Sequence, residues 1–591
     1  MVMYNYKDPL SKAKTLNEAL TQQVQIMGEK RWLTYYERDK VKSTLSFSKL
    51  LNNANNWGKR LINNGLKKGD RVLLILPTGT AFYESYWGIL LAGGVPVPAY
   101  PPFRLKQIEG YINNLIKLRT NCGAKLLITD KIIKPLLWQL KEQGRKNLPL
   151  SFIIPNEINE ESTSLKISVS QEDLGLLQYT SGSTGNQKGV MLTQANLLAN
   201  IRAIGKTIGL NPKDTAVSWL PLYHDMGLIG LMLGSIYWGI ELIALSPLEF
   251  LRRPFRWIYA MSHHHATITA APNFAYNLVA RKAKEEELDA ADLSSLRIAI
   301  CGAEPIQPAT IKSFVNKFAP CGFKHESFFP AYGLAENTLA VTFSKPGEPP
   351  YQECIDMRLL DEERKAVVKK PGEGTRFVVS VGAPIDTVKV RIVDDDGNTA
   401  SEGILGEVII SGPCVMKGYF NNDVPTARAI KDGWLYTGDV GFKLNGRFFI
   451  AGRVKDIIIR AGRNYFAEDI EAAISNLPGI RPGGLCAFSV DNKVKGTEDL
   501  VIIAEVRDES YKKDLPDLII KNVMNACGLS VDKAVMTSPR TLPKTSSGKI
   551  QRFKARQMYL DGSLEKKADK KNKIGLFTYL KSWIRDKFTR A

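Results

Sequence analysis

Histidine and cysteine are scarce in this chain: five and seven respectively in 591 residues, with no CxxC pair among the cysteines. That scarcity argues against a Cys/His zinc site or a disulfide framework, and the odd thiol count fits a reducing, cytoplasmic compartment. The opening MVMYNYKDPLSKAKTLNEAL lacks the apolar core of a secretory signal. Arg-rich arms, zinc-finger spacings and aromatic-basic RNA-binding motifs are missing too. The net charge of +20 therefore points to no nucleic-acid partner, but to a basic solvated surface serving an anionic ligand. Long apolar runs are nearly absent. The exception is Met226 to Leu245, MGLIGLMLGSIYWGIELIAL, with Glu241 as its one formal charge. Its length alone would admit a membrane span. Four glycines (Gly227, Gly230, Gly234, Gly239) and the strand-like ELIAL predict instead a buried helix followed by a core strand, so no transmembrane segment is expected.

What remains is the make-up of an ordinary globular protein: 44% hydrophobic, 24% charged and 9% aromatic. The length suggests several domains. From Gly69 onward, short apolar runs (DRVLLILP, KLLITD, TAVSWLP, ATITAAP, LRIAICGAE) alternate with helix-length amphipathic stretches. Such alternation predicts an α/β domain with a parallel sheet covered by helices. After about residue 376 the texture turns strand-rich, with Asp-Gly at 396–397 and Asn-Gly at 445–446 as hairpin signals, which predicts a small antiparallel β unit. From residue 455, one helix, two strands and another helix predict a compact α+β domain ending near 561. The expected division is therefore 1–454, with a β-rich part at 376–454 and an insertion at 345–373, then 455–561, then a tail at 562–591.

The segment Tyr179-Thr-Ser-Gly-Ser-Thr-Gly-Asn-Gln-Lys-Gly189 follows the strand-like LGLLQYT. Glycines let backbone N–H groups turn toward an anion, and hydroxyls and a lysine add donors, which makes a phosphate cradle. A flexible Ser/Gly hairpin loop is the plainer alternative. It is not a Walker loop, because Lys188 precedes Gly189 rather than Ser or Thr. Nor is it a Rossmann turn, because VMLT after it reads as a strand.

The sequence resembles the adenylate-forming enzymes: acyl-CoA synthetases, luciferases and peptide-synthetase adenylation domains. The resemblance rests on TSGSTGNQKG and on further motifs in order: Trp219-Leu-Pro-Leu-Tyr-His-Asp-Met-Gly227, Ala331-Tyr-Gly-Leu-Ala-Glu336, Tyr436-Thr-Gly-Asp439, Gly452-Arg453 and Lys544-Thr-Ser-Ser-Gly-Lys549. It implies ATP and Mg²⁺ as cofactors. It assigns nucleotide contacts to Thr180, Ser181, Gly182, Ser183, Thr184, Gly185, Lys188, Gly302, Ala303, Glu304, Ala331, Tyr332 and Gly333, with Asp439 and Arg453 on the ribose. Glu336 would supply a hard oxygen to Mg²⁺. A lone histidine is by default a satisfied core residue, but in WLPLYHDMG the resemblance places His224, with Met226 and Gly227, beside the substrate carboxylate. Lys549 would be the catalytic ammonium on a mobile C-terminal domain, and Lys455 its hinge. Joining a carboxylate to an α-phosphate brings two anions together, which costs about 4 kcal/mol at ~4 Å and an effective dielectric of ~20. An ammonium between them would offset that. The tract His263-His264-His265 reads as structural, since consecutive residues on one element cannot converge on a metal.

Pro98-Ala-Tyr-Pro-Pro102, Ala271-Pro-Asn-Phe-Ala-Tyr276 and Val379-Ser-Val-Gly-Ala-Pro384 resemble the fatty acyl-AMP ligase branch, although VSVG stands where that branch has VSCG. The branch implies a fatty acid substrate, activation as acyl-AMP, and delivery to the phosphopantetheine of an acyl carrier protein. The branch insertion corresponds to 339–381, where Lys-Pro-Gly-Glu recurs at 345–348 and 370–373 around a predicted hairpin. An acyl-CoA synthetase would share every nucleotide motif, and a non-enzymatic scaffold would not need Lys549, Glu336 and Asp439. In the tail, Phe577, Leu580, Ile584 and Phe588 recur at helical spacing opposite Lys581, Arg585 and Lys587. This basic amphipathic helix could touch a membrane surface peripherally, dock an acidic carrier protein or pack on the C-terminal domain.

Overall fold

The computed structural model describes residues 8–102, 108–137, 151–155, 165–180, 187–460, 463–492, 497–527, 529–545 and 548–566. They form two compact units, the first running to Val454 and the second beginning at Lys455. The tail residues 567–591 lie outside the described residues.

The first unit is organised by a sheet of fifteen described strands. Its centre is parallel: Phe328–Gly333, Ile298–Gly302, Ile268–Pro272, Thr215–Ser218, Glu241–Leu245 and Arg31–Glu37 lie side by side in that order. Burial on both faces explains why IAICG and ELIAL read as continuous apolar runs rather than alternating ones. The predicted antiparallel β unit is not a separate sheet. Its strands continue the parallel array through Ala340–Phe343, which pairs antiparallel with both Phe328–Gly333 and Thr375–Pro384. The Asn445-Gly446 signal does close a hairpin, between Trp434–Leu444 and Arg447–Arg453, with both turn residues at positive φ as a two-residue turn of this kind demands. A second, four-stranded parallel sheet (Val95–Pro98, Arg71–Ile75, Leu126–Thr129, Ser151–Ile153) and a three-stranded antiparallel one complete the unit.

The membrane-like run is resolved by its glycines. Met226–Leu233 is a π-helix whose first amide, that of Met226, donates to the Asp225 carboxylate at 2.8 Å. It passes into the short α-helix Gly234–Trp238, which stops at Gly239 in the left-handed conformation before the strand Glu241–Leu245 begins. The wide π turn departs from the plain helix expected of the sequence; such turns are rare and concentrate at functional sites. No helix among the described residues is long and apolar enough to cross a membrane.

The insertion is ordered, but it is not a simple hairpin. Gln352–Asp356 pairs over five positions with Thr375–Val379, while MRLLDEE between them is a helix capped by Asp356. KAVVKK contributes only isolated bridges, Ile355 with Val368 and Lys365 with Ile404. The apolar Leu359 and Leu360 suit one side of a helix turn as well as a strand, so alternation could not separate the two.

The second unit packs helices Ala467–Ile474, Leu515–Cys527 and Arg552–Leu560 with a sheet of Ile480–Asn492, Thr497–Val506 and Lys533–Thr537. Its cores are apolar faces of these elements, such as Ile470, Ile474, Ile502, Ile519 and Val523 on one side.

Candidate functional site

Two of the parallel strands end in motif residues and a third leads into a motif. In open α/β sheets, ligand crevices lie beyond such carboxyl ends. Ile298–Gly302 ends in Gly302, followed by Ala303 and Glu304; Phe328–Gly333 carries Ala331, Tyr332 and Gly333; Thr215–Ser218 leads into the loop holding His224. Close backbone approach explains two of the glycines. A Cβ on Gly302 would come within 2.9 Å of the Ala331 carbonyl, and one on Gly333 within 2.0 Å of the Leu339 carbonyl. Ala303 is held at φ 65°, a strained conformation for a residue with a side chain. Glu304 accepts a hydrogen bond from the Phe274 amide at 2.6 Å, which ties this turn to the neighbouring strand end.

Asp439 is the best-organised carboxylate of the site. The Tyr332 hydroxyl donates to Oδ2 at 2.6 Å and the Arg453 Nε to Oδ1 at 2.9 Å. Its turn is fixed from below: the Asp439 amide donates to Thr437 Oγ1, the Thr437 hydroxyl to the Val408 carbonyl, and the Gly438 amide to Glu407. Asp439 and Arg453 face each other directly in the hairpin register. Burial, with Asp439 beside it, pushes the Tyr332 phenol well above its ordinary range, so that group stays a donor. An ionised carboxylate offers about four acceptor positions, so Asp439 retains capacity for further hydroxyl donors.

Glu336, on the short 3-10 turn Ala335–Asn337, accepts the Tyr419 hydroxyl at 3.0 Å. Burial raises its affinity for a proton. A hard cation at this carboxylate would relieve the same penalty, so the residue fits a Mg²⁺ ligand. Among the described residues no cluster of three or more His, Cys, Asp or Glu could hold a metal alone, so the other ligands would have to come from the nucleotide and water. The Lys188 ammonium lies 4.4 Å from the Tyr419 ring centroid, so Tyr419 contacts both Lys188 and Glu336.

Thr180 and Lys188 are register partners at the loop end of a hairpin formed by Leu174–Thr180 and Lys188–Thr193. The strand after the loop agrees with the sequence reading and excludes a Rossmann turn. Ser181, Gly182, Ser183, Thr184 and Gly185 lie outside the described residues. His224 and Met226 are partly buried at the start of the π-helix and Gly227 is buried there. Gln178 Nε2 donates to the Tyr223 carbonyl at 2.9 Å, which ties the strand entering the Gly-rich loop to the His224 segment. The histidine tract diverges: His264 Nε2 lies 2.7 Å from the Tyr36 hydroxyl, whereas His263 stacks on Tyr259.

Lys455 and Lys549 belong to the second unit. Lys549 is exposed on a tight loop, where its amide donates to Thr545 Oγ1 at 3.0 Å and its carbonyl accepts from the Thr545 amide at 2.7 Å.

Sequence reasoning passed over Tyr419, Gln178 and Glu407. The signal for Gln178 was available: a lone amide within an apolar strand must find a partner. Tyr419 had none, because only pairing of Gly418–Tyr419 with Lys188–Thr193 brings it to Glu336.

A family model described as AMP-binding enzyme matches residues 20–420, and one described as Disco-interacting protein 2-like, AMP domain, matches 455–569. A structure from a study of fatty acyl-adenylate ligases of E. coli and L. pneumophila superimposes with a TM-score of 0.86 at 31% identity, covering 95% of this chain and 99% of that one. The chain belongs to the fatty acyl-AMP ligase branch of the adenylate-forming enzymes. Membership makes it an ATP-binding ligase of lipid metabolism. Two curated relatives of this ligase bear different names. The medium-chain-fatty-acid–[acyl-carrier-protein] ligase JamA of Moorena producens is 34% identical, over 84% of this chain and 87% of its own length. A putative acyl-CoA synthetase of Caulobacter vibrioides is 33% identical, over 91% and 94% respectively.

Proposed function

We propose that this ligase activates a fatty acid as acyl-AMP and transfers the acyl group to the phosphopantetheine thiol of an acyl carrier protein. In the first step a carboxylate oxygen bonds to the α-phosphorus of ATP and pyrophosphate leaves. In the second, the thiol sulfur bonds to the acyl carbon, AMP leaves with the bond electrons, and the thiol proton passes to solvent or a base. The reading is carried by the likeness to a carrier-protein ligase together with the ordered insertion at 345–373. The named acyl-CoA synthetase relative favours a second reading, in which free coenzyme A is the acceptor.

In this reading Asp439 and Arg453 hold the ribose, and the segments Gly302–Glu304 and Ala331–Gly333 enclose the adenine. The loop from Thr180 to Lys188 holds the phosphates. His224, Met226 and Gly227 flank the fatty-acid carboxylate, and Lys549 bridges that carboxylate to the α-phosphate. Mg²⁺ at Glu336 would neutralise phosphate charge.

A fatty-acid panel with ATP, followed for acyl-AMP, with carrier protein and coenzyme A supplied in separate arms, tests the proposal. Thioester on the carrier protein and none on coenzyme A is expected. Equal transfer to coenzyme A would favour the second reading. Asp439→Ala is expected to weaken ATP binding by about 10- to 100-fold, the range of a charge-assisted hydrogen bond. Ribose contacts are made in ground and transition states alike, so the turnover number at saturating ATP should fall less than affinity. An unchanged Kd for ATP would remove Asp439 from the ribose site.

A further inference from the structure

The second unit contains a guanidinium on which three other segments converge. Arg552, with only 14% of its side chain exposed, opens the helix Arg552–Leu560. Its Nε donates to the Ala487 carbonyl at 2.8 Å, and one terminal nitrogen donates to Glu471 Oε1 at 2.8 Å. The other terminal nitrogen lies 3.1 Å from Asp456 Oδ2 and 3.7 Å from Glu468 Oε1. The Ala487 amide returns a hydrogen bond to Glu471 Oε1 at 2.8 Å, closing the network across helix and strand. Burial raises the Glu471 carboxyl to about 7, and Arg552 opposes that rise.

The neighbours of Arg552 in sequence give the network its meaning. Lys549 stands three positions before it, in a loop drawn shut by the Lys544–Ile550 bridge and by the Gln551 amide on the Pro543 carbonyl at 2.9 Å. Asp456 stands one position after Lys455, in the 3-10 turn Val454–Asp456. The cap residue of the helix, Gln551, makes no side-chain cap, so the helix start takes its anchorage from Arg552.

We infer that Arg552 is a positioning residue that locks the Lys549 loop and the Asp456 turn into one rigid piece. The inference rests on the reading of Lys549 as the adenylating lysine and of Lys455 as the hinge. Under it, any rotation at Lys455 is transmitted to the Lys549 ammonium without slack. A guanidinium suits the task because its planar fork serves several acceptors at once, which an ammonium on a flexible stem does not.

The test uses the full-length protein, dodecanoate and ATP, with acyl-AMP formation and amide hydrogen exchange as readouts. Arg552→Met is expected to lower kcat for acyl-AMP by about tenfold or more, the order of loss expected when a catalytic group is misplaced, with KM for ATP nearly unchanged. Arg552→Lys should recover part of that loss. Exchange should quicken in both 454–458 and 548–553 in the Met variant. Asp456→Asn, which keeps the Glu471 and Ala487 contacts, should quicken exchange at 454–458 alone and leave the melting temperature near that of the parent. Loosening of 548–553 without loosening of 454–458 in Arg552→Met, or no change at 454–458 in Asp456→Asn, would overturn the coupling. Lys549→Ala, run in parallel, separates the two levels. A normal rate there removes the underlying reading, whereas a slow Lys549→Ala beside a normal Arg552→Met removes this inference alone.

Discussion

Lys549→Ala is expected to slow acyl-AMP formation by ~10²–10³-fold, the usual loss when a donor aimed at transition-state charge is removed. ATP affinity should be largely kept. The distinction follows from where charge develops. As the carboxylate oxygen closes on the α-phosphorus, negative charge concentrates between them, and an ammonium there stabilises the transition state more than the bound substrates. Truncation keeps the backbone contacts of the loop: Thr545 binds the backbone amide and carbonyl of Lys549, and the residue is exposed. Truncation should therefore leave stability near its parent value, and any rate loss can be assigned to the lost ammonium. Pre-steady-state measurement of acyl-AMP, with ATP affinity determined separately, reads both quantities. A variant with near-normal rate would remove Lys549 from the chemistry. Asp439→Ala should show the opposite pattern, with affinity lost first.

Much of this molecule was readable from local pattern because local chemistry fixes it. The Asn445-Gly446 turn needs positive φ at both positions, and the sequence places there two residue types that tolerate it. The strand after Lys188 follows from the β-prone VMLT. The π-helix was hidden because a π turn and an α turn bury the same apolar residues, and only the backbone ladder tells them apart. The join between parallel and antiparallel strands depends on pairing of Ala340–Phe343 with two distant partners, which no window of sequence contains. Site residues divide in the same way. Tyr332 and Asp439 are each marked by a motif, but their hydrogen bond spans 107 positions. Glu336 was legible as a carboxylate, whereas its partner Tyr419 became visible only once a two-residue strand paired beside Lys188. The Arg552 network escaped notice because a basic residue in a Lys-rich stretch reads as solvated surface, whereas here it is nearly buried among three carboxylates.

Excising residues 348–370 is expected to leave acyl-AMP formation roughly intact and to permit synthesis of acyl-CoA. The segment behaves as a pinned flap, not a floppy loop. Gln352–Asp356 is paired to Thr375–Val379, Ile355 and Leu360 are buried beneath it, and Asp356 both caps the flap helix and pairs with Lys369 at 2.5 Å. Its base is held by Arg447, whose guanidinium lies 4.2 Å from the Tyr351 ring centroid and 3.5 Å from Glu348. The far side is tied down by the Ala366 amide on the Gly403 carbonyl and the Leu405 amide on the Arg364 carbonyl. An element so tethered can obstruct a path persistently, because its tethers must break before it moves. Coenzyme A carries a bulky nucleotide behind its thiol arm, whereas a carrier protein inserts the slender phosphopantetheine alone and docks from outside. Under the proposed function, a rigid flap beside the thiol entrance would discriminate by the shape of the group carried behind the arm. Deletion also uncovers part of Thr375–Pro384, so the double change Tyr351→Ala with Arg447→Ala, which unpins the flap but keeps its strand, serves as the gentler companion. Acyl-CoA formation should be greatest in the deletion, smaller in the double variant and absent in the parent, with acyl-AMP production similar in all three. If the parent already makes acyl-CoA as fast as it makes acyl-AMP, the barrier and the carrier-protein reading fall together. If the deletion adenylates normally yet still refuses coenzyme A, the discrimination resides in the acceptor surface and not in the flap.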